Sequence, residues 1–322
     1  MSNLSSSTSA SVSNISGVYS VAYSPDNKTL SAIGKDGTLR IWEAADSYKL
    51  FGSVKSNLGE SRLAYSPDGN FLINSGLQMT QLWEVANLRL VEVWPFGSVS
   101  YTCDNKLLSV VLKEEALQVW DVSSGQLLHS LVLENSYKNK IRKVKCSPDG
   151  KTVIATDYDK IFLAKLEKDS HLQHFASITY SLYEVEYSPD SKKLAVGTRT
   201  DPQFGMNFGD DGSTQLIEFW YIESPGHSGF FKTIVTDHLD HIYTLAFSPD
   251  GKKLASGEGG QIITWNLENS RQLSRFHFDN GYGLQHSIAF SPDGNKLLAG
   301  GNYNSLRLWN TDNGQLLHTF SL

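Results

Sequence analysis

The sequence predicts an all-β chain built from repeated four-stranded antiparallel sheets, and three observations carry that expectation. Ser-Pro-Asp recurs at Ser24, Ser66, Ser147, Ser188, Ser248 and Ser291. A tryptophan closes an apolar-alternating run after most of these copies, at Trp42, Trp83, Trp120, Trp220, Trp265 and Trp309. Helical periodicity is absent throughout. Thr102-Cys103-Asp104 supplies a worn seventh copy, and the intervals are then 42, 36, 45, 41, 60 and 43 residues, the spacing of stacked supersecondary units.

Each element of the unit has a local cause. The first strand ends in an aromatic or apolar residue before the turn, as in Val21-Ala22-Tyr23 and Ile288-Ala289-Phe290. Proline then presets φ for the turn's first corner, Asp bonds its own backbone, and Gly tolerates the left-handed residue that follows. The next strands alternate with period two, as in Leu39-Arg40-Ile41-Trp42 and Leu306-Arg307-Leu308-Trp309. A polar turn leads to a fourth strand such as Gln126 to Leu131 or Gln315 to Phe320. One such sheet cannot bury both faces, so seven of them must stack, and a closed ring leaves only short protected edges.

With these turns and the Trp-Glu, Trp-Asp and Trp-Asn pairs at 42, 83, 120, 265 and 309 in place, the sequence resembles the WD-repeat family of seven-bladed β-propellers. The resemblance covers about Ser16 to Leu322. It implies a seven-bladed β-propeller of four-stranded antiparallel blades, one domain over residues 17–322 behind a flexible Ser/Thr-rich tail, residues 1–16. Blade 1 runs from Gly17 to Lys55, blade 2 to Leu90, blade 3 to Asn135, blade 4 to Ser177, blade 5 to Thr236, blade 6 to Phe278 and blade 7 to the C-terminus. Because Gln315 to Phe320 already supplies the last outer strand, the blades are expected in simple chain order, closed by packing of blade 7 on blade 1.

The family's His-Ser-Asp-Trp hydrogen-bond network has no complete copy. Blade 6 has His238, Ser256 and Trp265, but Gly259 and Gly260 occupy the turn where Asp is expected, and blade 4 has no Trp. Two places before the turn Ser, most blades carry a small residue (Ala22, Ala64, Ser100, Ala246, Ala289), whereas blades 4 and 5 carry Lys145 and Glu186. These two either form an inter-blade ion pair or point separately into a wet central channel.

Composition narrows the function classes. Lys and Arg number 28 against 34 Asp and Glu, a net charge of −6, which disfavours a nucleic-acid coat. Cys103 and Cys146 are too few for a disulfide framework and read as free structural thiols. Met1 to Ser16 has no Lys, Arg or apolar run and is no signal peptide, and no stretch approaches the roughly 18 apolar residues of a membrane span. The expectation is a soluble, cytoplasmic protein. No nucleophile elbow, P-loop or dinucleotide fingerprint is present, and His238-Leu239-Asp240-His241 lies at a strand start, where its spacing does not suit a metal. No catalytic site, metal or cofactor is expected.

In members of the family, the residues seven and five places before the turn Ser, with the turn between the second and third strands, contact partners on the narrow face. Carried over, they are Tyr19, Lys140, Arg142, Tyr183, His241, Tyr243 and His286, joined by Lys35, Tyr158, Arg199 and Tyr303. Aromatic residues and Arg dominate protein interfaces. Blades 2 and 3 contribute Gly59, Ser61, Pro95 and Gly97 instead, so the patch is lopsided towards blades 4 to 7 and 1. The 60-residue interval holds an insertion, Thr200 to Ser213, whose Phe204 and Phe208 either form a binding tip or fold back on the blades. The sequence therefore points to a non-catalytic scaffold that docks a protein or peptide within a larger complex. A propeller enzyme, or a receptor for a small ligand in the channel, is the alternative.

Overall fold

The computed structural model describes residues 17–45, 47–76, 78–95, 97–101, 106–111, 116–121, 126–132, 141, 143–167, 170–178, 181–200, 214–224, 227–278, 285–301 and 306–322. Its strands form seven four-stranded sheets. Blade 1 comprises β1 Val18–Tyr23, β2 Thr29–Gly34, β3 Thr38–Glu43 and β4 Leu50–Lys55; blade 2, β5 Arg62–Tyr65, β6 Phe71–Ser75, β7 Thr80–Glu84 and β8 Arg89–Trp94. Blade 3 comprises β9 Gly97–Tyr101, β10 Lys106–Val111, β11 Ala116–Asp121 and β12 Leu127–Val132; blade 4, β13 Lys143–Cys146, β14 Thr152–Thr156, β15 Lys160–Lys165 and β16 Gln173–Ser177. Blade 5 comprises β17 Ser181–Tyr187, β18 Lys193–Arg199, β19 Gln215–Ser224 and β20 His227–Val235; blade 6, β21 Thr244–Phe247, β22 Lys253–Gly257, β23 Gln261–Asn266 and β24 Gln272–His277. Blade 7 comprises β25 Gln285–Phe290, β26 Lys296–Gly301, β27 Leu306–Asn310 and β28 Leu316–Phe320. Every pairing is antiparallel between chain neighbours, and the last blade is made wholly from the C-terminal strands, as the sequence predicts. Blade 2 departs from its expected end: Val91 to Trp94 continue β8 past Leu90, because this run alternates and Trp94 packs into the gap towards blade 3. The N-terminal tail lies outside the described residues.

The Ser-Pro-Asp turns are largely self-contained. In all six, the Ser hydroxyl donates to the Asp Oδ1 at 2.5–2.7 Å. The backbone N–H two residues after Asp donates to the same oxygen at 3.0–3.1 Å. The residue between has φ of 59–74°, whether Gly69, Gly150, Gly251 and Gly294 or Asn27 and Ser191. Partial burial opposes ionisation of these carboxylates, yet the two donors hold those of Asp26, Asp68, Asp149, Asp190 and Asp293 below the usual range. Each turn is thus fixed mainly by its own side chains, with two links between neighbouring turns: the Asp149 N–H donates to Ser191 Oγ (3.0 Å) and Asn27 Nδ2 to Asp293 Oδ2 (3.4 Å).

Burial follows the period-two alternation. In blade 4, Ile154, Ile161 and Leu163 pack towards blade 5, while Val153, Ala155, Phe162 and Ala164 pack towards blade 3. Among the described residues the core divides into seven clusters, one in each gap between adjacent blades. Phe162, only 1% exposed and two places before the position that Trp holds elsewhere, fills the gap in the blade that lacks the indole. Each blade also has a bulge where the fourth strand meets the third, which leaves Phe51, Val91, Leu128, Phe231, Leu273 and Leu317 without a ladder partner in six blades.

The ring closes between blades 7 and 1. Val18, Val21, Trp42, Leu298, Leu308 and Phe320 share one cluster, with Trp42 and Phe320 ring centroids 5.1 Å apart. The backbone N–H of Val21 donates to Ser287 Oγ (3.1 Å), and that of Leu63 to Ser20 Oγ (3.0 Å), so hydroxyls four places before the turn Ser tie inner strands together. A Cβ on Gly300 would lie 2.5 Å from Val18 Cγ1.

Lys145 and Glu186 do form an inter-blade ion pair. It belongs to a ladder that includes Lys143 and Glu184: Lys143 Nζ donates to Glu184 Oε2 at 2.6 Å, and Lys145 Nζ lies 3.4 Å from Glu184 Oε1. Burial raises the Glu184 carboxyl, but Lys143, Lys145 and Arg62 overcome this and hold it at about 2.

Two stability predictions follow. Gly300→Val should lower stability by about 2–3 kcal/mol through overpacking at the closure, while Gly59→Val, with nothing within 4 Å of its added Cβ, should be nearly neutral by thermal denaturation. Glu184→Ala leaves the partly buried Lys143 without its carboxylate partner and should cost about 3 kcal/mol. Glu186→Ala leaves Lys145 with Glu184 and should cost about 1 kcal/mol; equal losses would mean the charges act separately.

Candidate functional site

Five of the expected partner-binding residues meet on the face formed by the connections between blades and the turns between second and third strands, opposite the Ser-Pro-Asp turns. Tyr183, near the start of β17, stacks on His241 with centroids 4.0 Å apart and an interplanar angle of 14°. Tyr243 meets that ring edge-on, at 5.8 Å. Arg199, the last residue of β18, places Nη1 3.4 Å from His241 Nε2. Tyr158 is 63% exposed, and its carbonyl accepts from the Leu182 N–H at 2.8 Å, which sets the blade 4 turn beside Tyr183.

The electrostatics keep His241 neutral. Burial pushes its pKa down, the Arg199 cation pushes the same way, and Asp240 only partly opposes them. A neutral ring can accept from Arg199 through Nε2, which an imidazolium could not. Burial, Asp240 and Tyr183 raise the Tyr243 phenol to about 12, so it remains a donor. The cluster thus offers an arginine, two phenols and an imidazole on one half-buried platform.

The loop carrying His241 is anchored from below. His238 Nε2 lies 2.7 Å from Ser256 Oγ, which also accepts from the Trp265 indole N–H at 2.8 Å. Glu258 adjoins this network. Its Oε2 accepts from the Asp240 N–H (2.7 Å) and lies 3.6 Å from His238 Nδ1, while its Oε1 accepts from Gln261 Nε2. Blade 6 thus comes close to the network without completing it: the acid sits on the last residue before the glycines, one methylene longer than Asp, and its carboxylate stops 3.6 Å from His238 Nδ1. Leu239, between His238 and Asp240, is 70% exposed at the tip of this loop. Neither Leu239 nor Asp240 was expected in the site; an apolar residue in a polar connection was the available signal.

The remaining expected residues are distributed as follows. Tyr19 and Lys35 form a separate pair on blade 1, Lys35 Nζ lying 5.6 Å from the Tyr19 ring centroid. Lys140, Arg142, Phe204, Phe208 and Tyr303 lie outside the described residues, as does the side chain of His286. The root of the blade 5 insertion is described: the Thr200 N–H donates to the Thr214 carbonyl (2.9 Å), and the Thr214 N–H to Thr200 Oγ1 (3.0 Å). This root adjoins Arg199. Among the described residues no group of three or more His, Cys, Asp or Glu is placed to hold a metal ion, and no helix is long and apolar enough to cross a membrane.

Burial raises the Glu258 carboxyl, but the nearby His238 and the hydrogen bonds from the Asp240 N–H and Gln261 hold it below the usual range. The native state then binds fewer protons than the unfolded state near the ordinary Glu pKa, so this contribution is full above about pH 4.5 and fades as pH falls. Glu258→Ala should cost about 2 kcal/mol at pH 7. In paired thermal melts that difference should shrink towards pH 3; a constant difference would remove the ionised carboxylate from the network.

A model of the WD domain, G-beta repeat, matches residues 9–43, 229–266 and 276–310. The chain is 21% identical over 289 residues to the periodic tryptophan protein 2 homolog of Dictyostelium discoideum, covering 82% of this chain and 30% of that protein. It is 23% identical over 174 residues to the WD repeat-containing protein AAC3 of the same organism, covering 54% and 33%. The chain thus spans about a third of the length of each of these relatives. A chain of Kuenenia stuttgartiensis hydrazine synthase superposes with a TM-score of 0.72 at 18% identity, over 95% of this chain and 99% of that one, a likeness of fold alone. The chain thus carries matches to the WD repeat in three places, and its seven four-stranded blades give it a seven-bladed β-propeller fold.

Proposed function

We propose that the chain is a non-catalytic scaffold that docks a protein or peptide partner on the narrow face, over blades 4 to 6, within a larger assembly. The observation that carries this reading is the Tyr183–His241–Tyr243–Arg199 platform beside the root of the blade 5 insertion. Its residue types suit an interface: large, stiff aromatic surface and a guanidinium, ringed by the exposed Leu239 and Tyr158. A platform already held by stacking and by the Glu258 anchor loses little conformational freedom when a partner binds. WD-repeat relatives support a scaffolding role in general. By sequence position alone, Phe204 and Phe208 of the insertion and Lys140 and Arg142 of blade 4 belong to the same proposal.

The test is quantitative co-purification followed by direct binding of the recovered partner. An Arg199→Glu, Tyr243→Ala double variant should weaken that binding at least tenfold, about 1.4 kcal/mol or more, with an unchanged melting temperature. Removing residues 201–211 should weaken it while leaving the melt in place. Unaltered affinity in the double variant moves the docking surface elsewhere on the ring.

A further inference from the structure

The opposite face carries a cavity of about 450 Å³ between the Ser-Pro-Asp turns of blades 5 and 6. Phe219, Phe231, Phe247 and Leu267 line it, together with Lys193, Lys232 and the two turns. Its origin lies in two residue choices. Between blades 1 and 2, and between blades 4 and 5, the inner strand ends in Tyr (Tyr65, Tyr187). Its hydroxyl lies 3.1 and 3.2 Å from Thr29 and Thr152 Oγ1 of the preceding blade, which bridges the gap. Between blades 5 and 6 the corresponding residues are Phe247 and Lys193, which cannot make that bond. Between blades 6 and 7 the pair is again Lys and Phe, Lys253 and Phe290, but there Lys253 Nζ is engaged by Asp312 at 2.6 Å. Lys193 makes no ion pair with a described residue and lies 6.0 Å from the Tyr221 ring centroid.

The cavity holds two ammonium groups and two rim carboxylates; Lys193 helps lower the Asp190 pKa, and Lys232 is the cation with donors to spare. An ammonium carries three donors, and Lys232 uses one of them, on the Leu267 carbonyl at 2.6 Å. Burial, and then the charge of Lys193, lower the Lys232 pKa, as expected for an amine short of anionic company. The carboxylates at the rim, Asp190 and Asp250, are each engaged through Oδ1 in their own turns. The floor is aromatic. Phe231, the bulge residue of β20, stacks on Tyr221 at 4.0 Å and faces the cavity.

We propose that this cavity binds a carboxylate carried on an aromatic or branched apolar body, with Lys193 and Lys232 taking the anion and the phenylalanines taking the body. The volume lies within the range of small-molecule sites, and charge-assisted hydrogen bonds supply the orientation. Two sources share this chemistry, a free organic acid and the C-terminal carboxylate of a peptide ending in an aromatic residue. The site lies on the face away from the proposed docking platform and stands or falls separately from it.

The experiment uses the full chain and ligand-observed NMR. The probes are 3-phenylpropionate, its neutral alcohol, and Gly-Gly-Phe with a free or an amidated C-terminus. Saturable binding of the acid or the free peptide is expected, weakened at least about fivefold for the neutral analogue and in Lys193→Gln, Lys232→Gln. A Lys193→Thr, Phe247→Tyr variant rebuilds the bridge seen between blades 1 and 2 and between blades 4 and 5, and should keep its melting temperature while losing the ligand. Tighter binding of the free peptide assigns the site to a chain terminus, and tighter binding of the acid assigns it to a metabolite. The proposal is overturned by an absence of saturation up to about 10 mM, by equal binding of the neutral analogues, or by retained binding in the rebuilt-bridge variant.

Discussion

Every sheet here has two apolar faces and no means of covering either alone, so each depends on the blade before and the blade after it. A linear stack would leave two faces wet, and the ring removes both. Closure is therefore a steric problem at one seam, solved by Gly300 accepting Val18 where any side chain would collide. Packing outweighs the hydrogen-bond networks in this balance. Burying a Trp removes about 150–250 Å² from water, an upper bound of about 4–6 kcal/mol, against about 0.5–1.5 kcal/mol for a net hydrogen bond. Blade 2 shows the consequence: Trp83 is 4% exposed, and its indole N–H has no hydrogen-bond partner. The network of blade 6 thus has another use, which is to hold the loop bearing Asp240 and His241.

The charged ladder in the channel has a similar reach. Lys143 Nζ donates to the Tyr183 carbonyl at 2.7 Å as well as to Glu184. One ammonium therefore joins blade 4 to the backbone of the residue on which His241 stacks. Glu184 is deeply buried, whereas Lys145 and Glu186 keep roughly a quarter of their side-chain surface. The inner rung is accordingly the stronger, and it lies beneath the platform.

Much of the fold was legible because the turn chemistry is local: Ser, Pro, Asp and a left-handed residue fix their own corner wherever they occur. Blade order was legible for a related reason, the complete outer strand at Gln315 to Phe320. What escaped was non-local. Phe162 could not be assigned the space of the absent Trp until the alternation of β15 was set against blade 3. Glu258 was passed over because the family pattern places its acid after the turn begins, whereas the longer side chain reaches towards the same donors from one step earlier. The end of β8 was misplaced for want of Trp94's partner across the gap. The platform was read in part: Tyr183, Arg199, His241 and Tyr243 could each be chosen by position, but only the three-dimensional arrangement shows one imidazole holding the other three.

Departures from the repeat concentrate at one place in the ring. Stacking demands only the short strands, the bulge and the self-fixed turn that the other blades share. Blade 5 keeps these and adds an insertion rooted at Thr200 and Thr214, a β19–β20 hairpin of ten and nine residues where other blades use four to six per strand, and a Lys193 that leaves its gap to blade 6 unbridged. None of these is required for closure, which occurs two gaps further on, between blades 7 and 1. Extra ordered residues carry a conformational-entropy cost of about 1–2 kcal/mol each. A feature that stacking does not need must draw its contacts from something other than stacking. The blade 5–6 sector is where this propeller departs furthest from what holding the ring upright requires.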